Sequence, residues 1–137
     1  MEIKELRLHN LVKARLPEFT NFINPISINP PVMVQIYNGE VIIEPIRLTR
    51  DELLLLGFTE TMPGIYSIPA IPGNEFSEEL NVMFGQNILN DCPYMYLTQG
   101  KTGEESLVRI PYVHTLQNLV FALTAREITY PQYRDKN

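Results

Sequence analysis

Cysteine, positive charge and long apolar runs are all scarce in this chain. Its lone cysteine, Cys92, leaves no way to form an intramolecular disulfide. The opening MEIKELRLHN carries no apolar run of the kind a signal peptide has, so a reducing cytoplasm is the expected compartment. The longest apolar stretches, such as LLLLGF at 53–58, fall well short of the ~18 residues a membrane helix needs, and no bilayer span is expected. Eleven basic and sixteen acidic side chains give a formal charge of −5. That balance opposes the phosphate attraction behind most nucleic-acid affinity, so nucleic acid is a disfavoured partner. One local exception is the set Lys4, Arg7, Lys13 and Arg15, which suits a phosphate contact or, preferably, a sheet edge charged against aggregation.

A chain of 137 residues matches one domain and buries roughly two-thirds of its unfolded surface, enough for a core without metal or disulfide staples. The expectation is a single α+β domain over residues 1–137. It is β-rich, made of antiparallel hairpins, with a short central helix and a C-terminal amphipathic helix packed on the sheet.

Local patterns place these elements. Residues 6–14 hold Leu6, Leu8, Leu11 and Val12 around His9-Asn10, a strand interrupted by a bulge or turn. Residues 16–31 carry Pro17, Pro25, Pro30 and Pro31, which lack ladder donors, so this stretch reads as an ordered loop pinned by Phe19, Phe22 and Ile26. Asn38-Gly39 between VMVQIY and EVIIE predicts a two-residue type I′ hairpin that pairs Ile36 with Val41 and Val34 with Ile43 and turns all four toward the core. Thr49-Arg50-Asp51-Glu52 forms a capping box opening a short helix that Gly57 stops, with Phe58 leaving as an anchor.

Residues 76–84 fit either period: Phe76, Leu80, Met83 and Phe84 a helix, or Leu80, Val82 and Phe84 a strand. Strands are expected at 65–68, 94–98 and 106–110, the last two joined as a looser hairpin. At 100° per residue, Val113, Leu116, Leu119, Val120 and Leu123 share a ~120° arc, which predicts the C-terminal helix. Residues 129–137 are a tail that packs through Tyr130 or frays.

Three pieces, LRLHNLV at 6–12, EPIRLTRDELLLLGF at 44–58 and VHTLQNLVFALTAREI at 113–128, together resemble a family of small uncharacterised proteins from phages and mobile elements of gut Bacteroidetes. The family's look is Leu-Arg-Ile-Gly-Asn near the start, Pro-Ile-Pro-Leu-Thr before a helix ending in Gly-Phe, and His-x-Leu-Gln-Asn-Leu-x-Phe-Ala-Leu-Thr-Gly near the end. The resemblance implies a mobile-element origin and a rough architecture, and transfers no activity. This chain departs from it at His9 and Ala125, where the pattern has glycine. A positive φ is costly for either residue, so the first turn and the helix end are expected to be built differently here.

Candidate chemistry is sparse. Gly100-Lys101-Thr102 looks like the end of a phosphate-binding loop, but Met95 stands where that motif needs its first glycine, so a polar hairpin loop is preferred. Cys92 and His114 as nucleophile and base lack a positive charge near Cys92 in sequence to lower its pKa. His9 and His114 have no metal-ligand spacing, so no metal, cofactor or catalytic residue is assigned.

The remaining feature is an arc of about 100° on the C-terminal helix holding His114, Gln117, Asn118 and Phe121. It reads either as a flank packed under a neighbouring loop or as a recognition patch. The leading expectation is a non-catalytic interaction or accessory protein of a mobile element, which self-associates or binds a protein partner. The alternative is an enzyme or small-ligand binder with its site near His114, Gln117 and Asn118. Nucleic-acid contact through the basic N-terminal segment is a weaker third.

Overall fold

The computed structural model of the protein describes residues 5–69, 79–84, 92–99 and 104–133. Its elements in chain order are β1 (Leu11–Arg15), β2 (Ile23–Ser27), α1 (Pro30–Tyr37), β3 (Ile42–Pro45), α2 (Arg50–Leu55), β4 (Thr59–Met62), β5 (Ile65–Pro69), β6 (Glu79–Met83), β7 (Tyr94–Gln99), β8 (Glu104–Arg109) and α3 (Val113–Thr124), followed by a 3-10 turn at Pro131–Tyr133. The α+β class and the antiparallel sheets agree with the sequence patterning. The chain forms two compact units, Met1–Arg47 with Tyr112–Asn137, and Leu48–Pro111. Among the described residues no helix is long and apolar enough to cross a membrane.

In the first unit the sheet order is β2-β1-β3, antiparallel throughout. Leu11 and Val12 are adjacent on β1, so their side chains point to opposite faces, and both are fully buried. The central strand is therefore covered on both sides. Val12 packs with Ile28 and with Ile36 of α1, while α3 contacts β1. Each such aliphatic side chain contributes about 1.5–3 kcal/mol through burial.

The expected hairpin at Asn38-Gly39 does not form, because residues 30–37 are helical. Asn29 caps α1 through its side-chain oxygen, which accepts from the Val32 amide at 2.9 Å, and Pro30 and Pro31 occupy the first helical positions, where no N–H is needed. Gly39 does take a positive φ, 73°, but as a helix stop. Its amide donates to the Ile36 carbonyl at 3.1 Å and the Glu40 amide to the Gln35 carbonyl at 2.9 Å, the paired bonds of a Schellman end. Ile36, Val41 and Ile43 still meet in one cluster, whereas Val34 faces solvent. The ordered-loop reading of residues 16–31 is likewise corrected: Ile23–Ser27 is a strand on the sheet edge, the one place where Pro25 withholds no needed donor.

The second unit is a five-stranded antiparallel sheet, β4-β5-β6-β7-β8, with α2 at its start. Thr49 caps α2 by accepting from the Glu52 amide at 3.4 Å. The helix closes with Gly57 at φ 98°, its amide bonded to the Leu54 carbonyl and that of Phe58 to the Leu53 carbonyl. Phe58 is buried. Residues 79–83 are a strand, which decides the ambiguous middle in favour of alternation, and the expected 94–98 and 106–110 strands pair as β7 and β8. Lys4, Phe76 and the Gly100-Lys101-Thr102 triplet lie outside the described residues.

Candidate functional site

The helix predicted from Val113 onward is present, but its buried face is turned from the expected one. Val113, His114, Leu116, Gln117 and Val120 are inside, Leu119 is half-buried and Leu123 is exposed. The inward turn of Gln117 needs compensation, since a buried amide without partners costs about 1–3 kcal/mol. It receives it from three backbone groups. The side-chain Oε1 accepts from the Leu11 amide at 2.8 Å, and Nε2 donates to the carbonyls of His9 at 3.1 Å and Ile128 at 2.9 Å. One side chain thus joins the first strand, the turn before it and the segment after α3.

Asn118 extends the same contact outward. Its Oδ1 accepts from Arg7 Nε at 3.1 Å and from Asn10 Nδ2 at 2.8 Å, and its Nδ2 donates to the Glu5 carbonyl at 2.9 Å. Asn10, fully buried, accepts from the Arg7 amide at 2.7 Å through Oδ1. Arg7 also pairs with Glu127, donates to the Gln117 carbonyl at 3.3 Å, and lays its guanidinium 4.3 Å from the centre of the Phe121 ring. Phe121 is therefore an exposed ring partly roofed by a cation.

Both positions where the resembled pattern carries glycine keep the conformation that glycine favours: φ is 74° at His9 and 58° at Ala125. The expectation of a different build at these turns is corrected. His9 is held there by its amide bond to the Ile28 carbonyl at 2.8 Å, and Ala125 by its bond to the Phe121 carbonyl at 2.8 Å.

His114 differs from its neighbours. It is 3% exposed, and its Nδ1 is closed to solvent with no hydrogen-bond partner among the described residues. Its Nε2 stands 3.8 Å from the carboxylate of Glu5, longer than a direct hydrogen bond. The Tyr112 ring stacks on the imidazole, 5.7 Å between centroids and 9° from parallel. Burial pushes the His114 pKa below its ordinary value, against an opposing pull from Glu5, so the ring is neutral at neutral pH. The orphaned Nδ1 suits the unprotonated acceptor, which leaves the proton on Nε2, toward Glu5.

The sequence thus located His114, Gln117, Asn118 and Phe121 on one flank, and the structure gives them different work. Gln117 and Asn118 hold the chain together, Phe121 carries a cation, and His114 is left underused. Arg7, Asn10, Glu5 and Glu127 were missed as members of the group. His9 stands at a turn and contributes its carbonyl, while Cys92, half-buried in the second unit, places its thiol 3.5 Å from the Pro93 carbonyl. Among the described residues no three His, Cys, Asp or Glu side chains gather to hold a metal ion. No protein family, curated protein or solved structure compared with this chain matches it.

Proposed function

We propose that this chain is a binding protein, and that a small polar ligand is held where Glu5, His114 and Tyr112 meet at the start of α3. The observation that carries the reading is the His114 imidazole, buried with Nδ1 unpaired among the described residues and Nε2 facing the Glu5 carboxylate at 3.8 Å, on a helix whose neighbouring amides bond to the chain. Nε2 reaches the Glu5 carboxylate only at 3.8 Å, longer than a direct hydrogen bond, so a small molecule set between them would give both groups closer partners. Glu5 is 54% exposed and swings aside without breaking the Asn118 bond, which goes to its backbone carbonyl. Nε2–H then offers a donor, the Glu5 carboxylate an acceptor, and the stacked Tyr112 ring a flat wall. That combination fits a small planar molecule with adjacent donor and acceptor, such as a primary amide.

The test is a thermal-shift and titration screen of small amides, ureas and amidines against the wild type and the Glu5→Ala and Tyr112→Ala variants. Saturable binding by the wild type, weakened at least about tenfold in both variants, supports the reading. A hit that binds all three proteins equally, or no hit, contradicts it.

A second reading, the non-catalytic accessory protein of a mobile element, draws its origin from the sequence resemblance alone. One observation favours its interaction half: Phe121, 39% exposed, puts a large ring at the surface of α3 under the Arg7 guanidinium, and Leu123 is a second exposed apolar side chain of the helix, at 46%. Light scattering after size exclusion checks it. A dimer that Phe121→Ala dissociates supports self-association, and a concentration-independent monomer removes it.

A further inference from the structure

Asn38-Gly39 serves the fold as a helix stop, and the same dipeptide has a chemistry of its own. Of eleven asparagines in the chain, Asn38 alone is followed by glycine. An asparagine is modified when the amide nitrogen of the next residue attacks its side-chain carbonyl carbon. Glycine permits that attack because it has no side chain to crowd the ring and turns freely about its backbone. Both residues are exposed, and a Cβ placed on Gly39 would meet no atom of the described residues within 4 Å. Water therefore reaches the pair.

The geometry of α1 holds the reaction back. The attacking nitrogen is that of Gly39, and its N–H is bonded to the Ile36 carbonyl at 3.1 Å. On either side of it the Asn38 amide is bonded to the Val34 carbonyl at 3.0 Å and the Glu40 amide to the Gln35 carbonyl at 2.9 Å. A donor so engaged does not yield its proton to hydroxide. Asn38 also stands at ψ −1°, which holds the Gly39 nitrogen away from Cβ, whereas closing a five-membered ring requires that nitrogen to eclipse Cβ. The rotation breaks the helix end, so the end must open first. Ile36, 5% exposed, anchors it in the cluster that Val41 and Ile43 join. Residues 37–40 are exposed, so only this short stretch has to fray.

We propose that Asn38 is a modification site gated by the C-terminal end of α1, converted by water to aspartate or isoaspartate when that end opens. The step balances with water and hydroxide alone. The Gly39 nitrogen loses its proton to hydroxide and bonds to Asn38 Cγ. The Cγ–Nδ2 bond then breaks, and ammonia leaves with a proton taken from water, which restores the hydroxide. A second water opens the cyclic imide: attack at Cγ gives aspartate, and attack at the backbone carbonyl carbon gives isoaspartate, with the chain running through the former side chain. Nothing is oxidised or reduced. Either product opposes re-closure of the helix end. A carboxylate there adds to the negative end of the helix dipole, two residues from exposed Glu40 and with no basic residue in the last turn. Isoaspartate lengthens the backbone by one carbon and spoils the spacing of the paired bonds. The change is one-way and loosens the end that admitted it.

The experiment incubates the full chain at mildly alkaline pH, folded and in guanidinium chloride, and reads the exchange of NH2 for OH at each asparagine by peptide mass spectrometry. In denaturant Asn38 is expected to change ahead of every other asparagine. In the folded protein it should change about ten- to a thousandfold more slowly, as two bonds and the turn around them must open. Asn38→Gln, which would need a six-membered ring, should stay unmodified at this position. Asn38→Asp imitates one product and should lower the thermal midpoint by about 1–3 °C at low salt, less at high salt. Equal rates with and without denaturant, another asparagine changing first in denaturant, no change at Asn38 in the folded chain, or an Asn38→Asp midpoint equal to that of the wild type overturns the proposal.

Discussion

The side-chain amide of Gln117 is bonded to the backbone of Leu11, Oε1 to N–H at 2.8 Å, across 106 positions of sequence. With the bonds from Nε2 to His9 and Ile128, it replaces what a purely apolar helix face would have done by packing. A residue that looked like a recognition group is thereby assigned to holding the fold.

Gln117→Leu keeps the volume and removes all three bonds, leaving a buried N–H and two carbonyls without their partner. The expected loss is about 2–4 kcal/mol, from roughly 1–3 kcal/mol per stranded group less the gain of an apolar side chain. Urea denaturation of the two proteins measures it directly. A change below about 0.5 kcal/mol means that water serves these groups equally well.

Leu116→Asp puts a carboxylate at a position with no solvent exposure and should prevent folding. Phe121→Ala removes a ring that is 39% exposed and its contact with Arg7, at a cost of about 1 kcal/mol. Circular dichroism melts separate the two. Equal destabilisation would mean that Phe121 belongs to the core.

Ala125 holds φ at 58°, a region that costs an alanine about 1–2 kcal/mol. Ala125→Gly relieves this but adds about 0.5–1 kcal/mol of unfolded-state freedom, so a net gain of about 0.5 kcal/mol is expected. At His9, a residue type that enters this region more readily, the same substitution should be close to neutral. Calorimetry on both variants checks the difference, and a destabilised Ala125→Gly would refute the strain.

The pH dependence follows from His114. Its folded pKa lies below the ordinary 6.5 because burial disfavours the cation, so below about pH 6.5 the unfolded chain takes up a proton that the folded one resists. The stability associated with the neutral ring is complete above that pH and is lost as pH falls toward the folded value. Denaturation midpoints at pH 7.5 and pH 5.5 should differ more for the wild type than for His114→Gln. An equal difference in the two proteins contradicts the assignment.

Elements whose local chemistry has one solution were legible. Thr49 and Glu52 opened α2, Gly57 closed it, and the 3.6 period of residues 113–124 made α3. Asn38-Gly39 was misread because a positive φ at glycine serves a type I′ turn and a Schellman stop equally, and because 30–37 carries a single polar amide, Gln35, too little for a period to choose between strand and helix. The overlooked clue was Asn29-Pro30-Pro31, a cap followed by two prolines. The site was legible as a flank of α3 but not as a clamp, since four of the six partners of the Gln117 and Asn118 side chains are backbone groups, which leave no mark in a sequence, and five of the six lie more than a hundred positions away. The buried stripe was displaced for the same reason: Leu119 and Leu123 outrank Gln117 in hydrophobicity, yet Gln117 has its bonds waiting inside.

The claim that Gln117 and Asn118 hold the fold while His114 meets a ligand is tested most directly by side-chain nitrogen NMR of the labelled protein during titration with a small primary amide. Movement of the His114 Nε2 resonance, with the Gln117 and Asn118 side-chain amides unmoved, is the predicted result. A still imidazole, or shifts centred on the two amides, would contradict it.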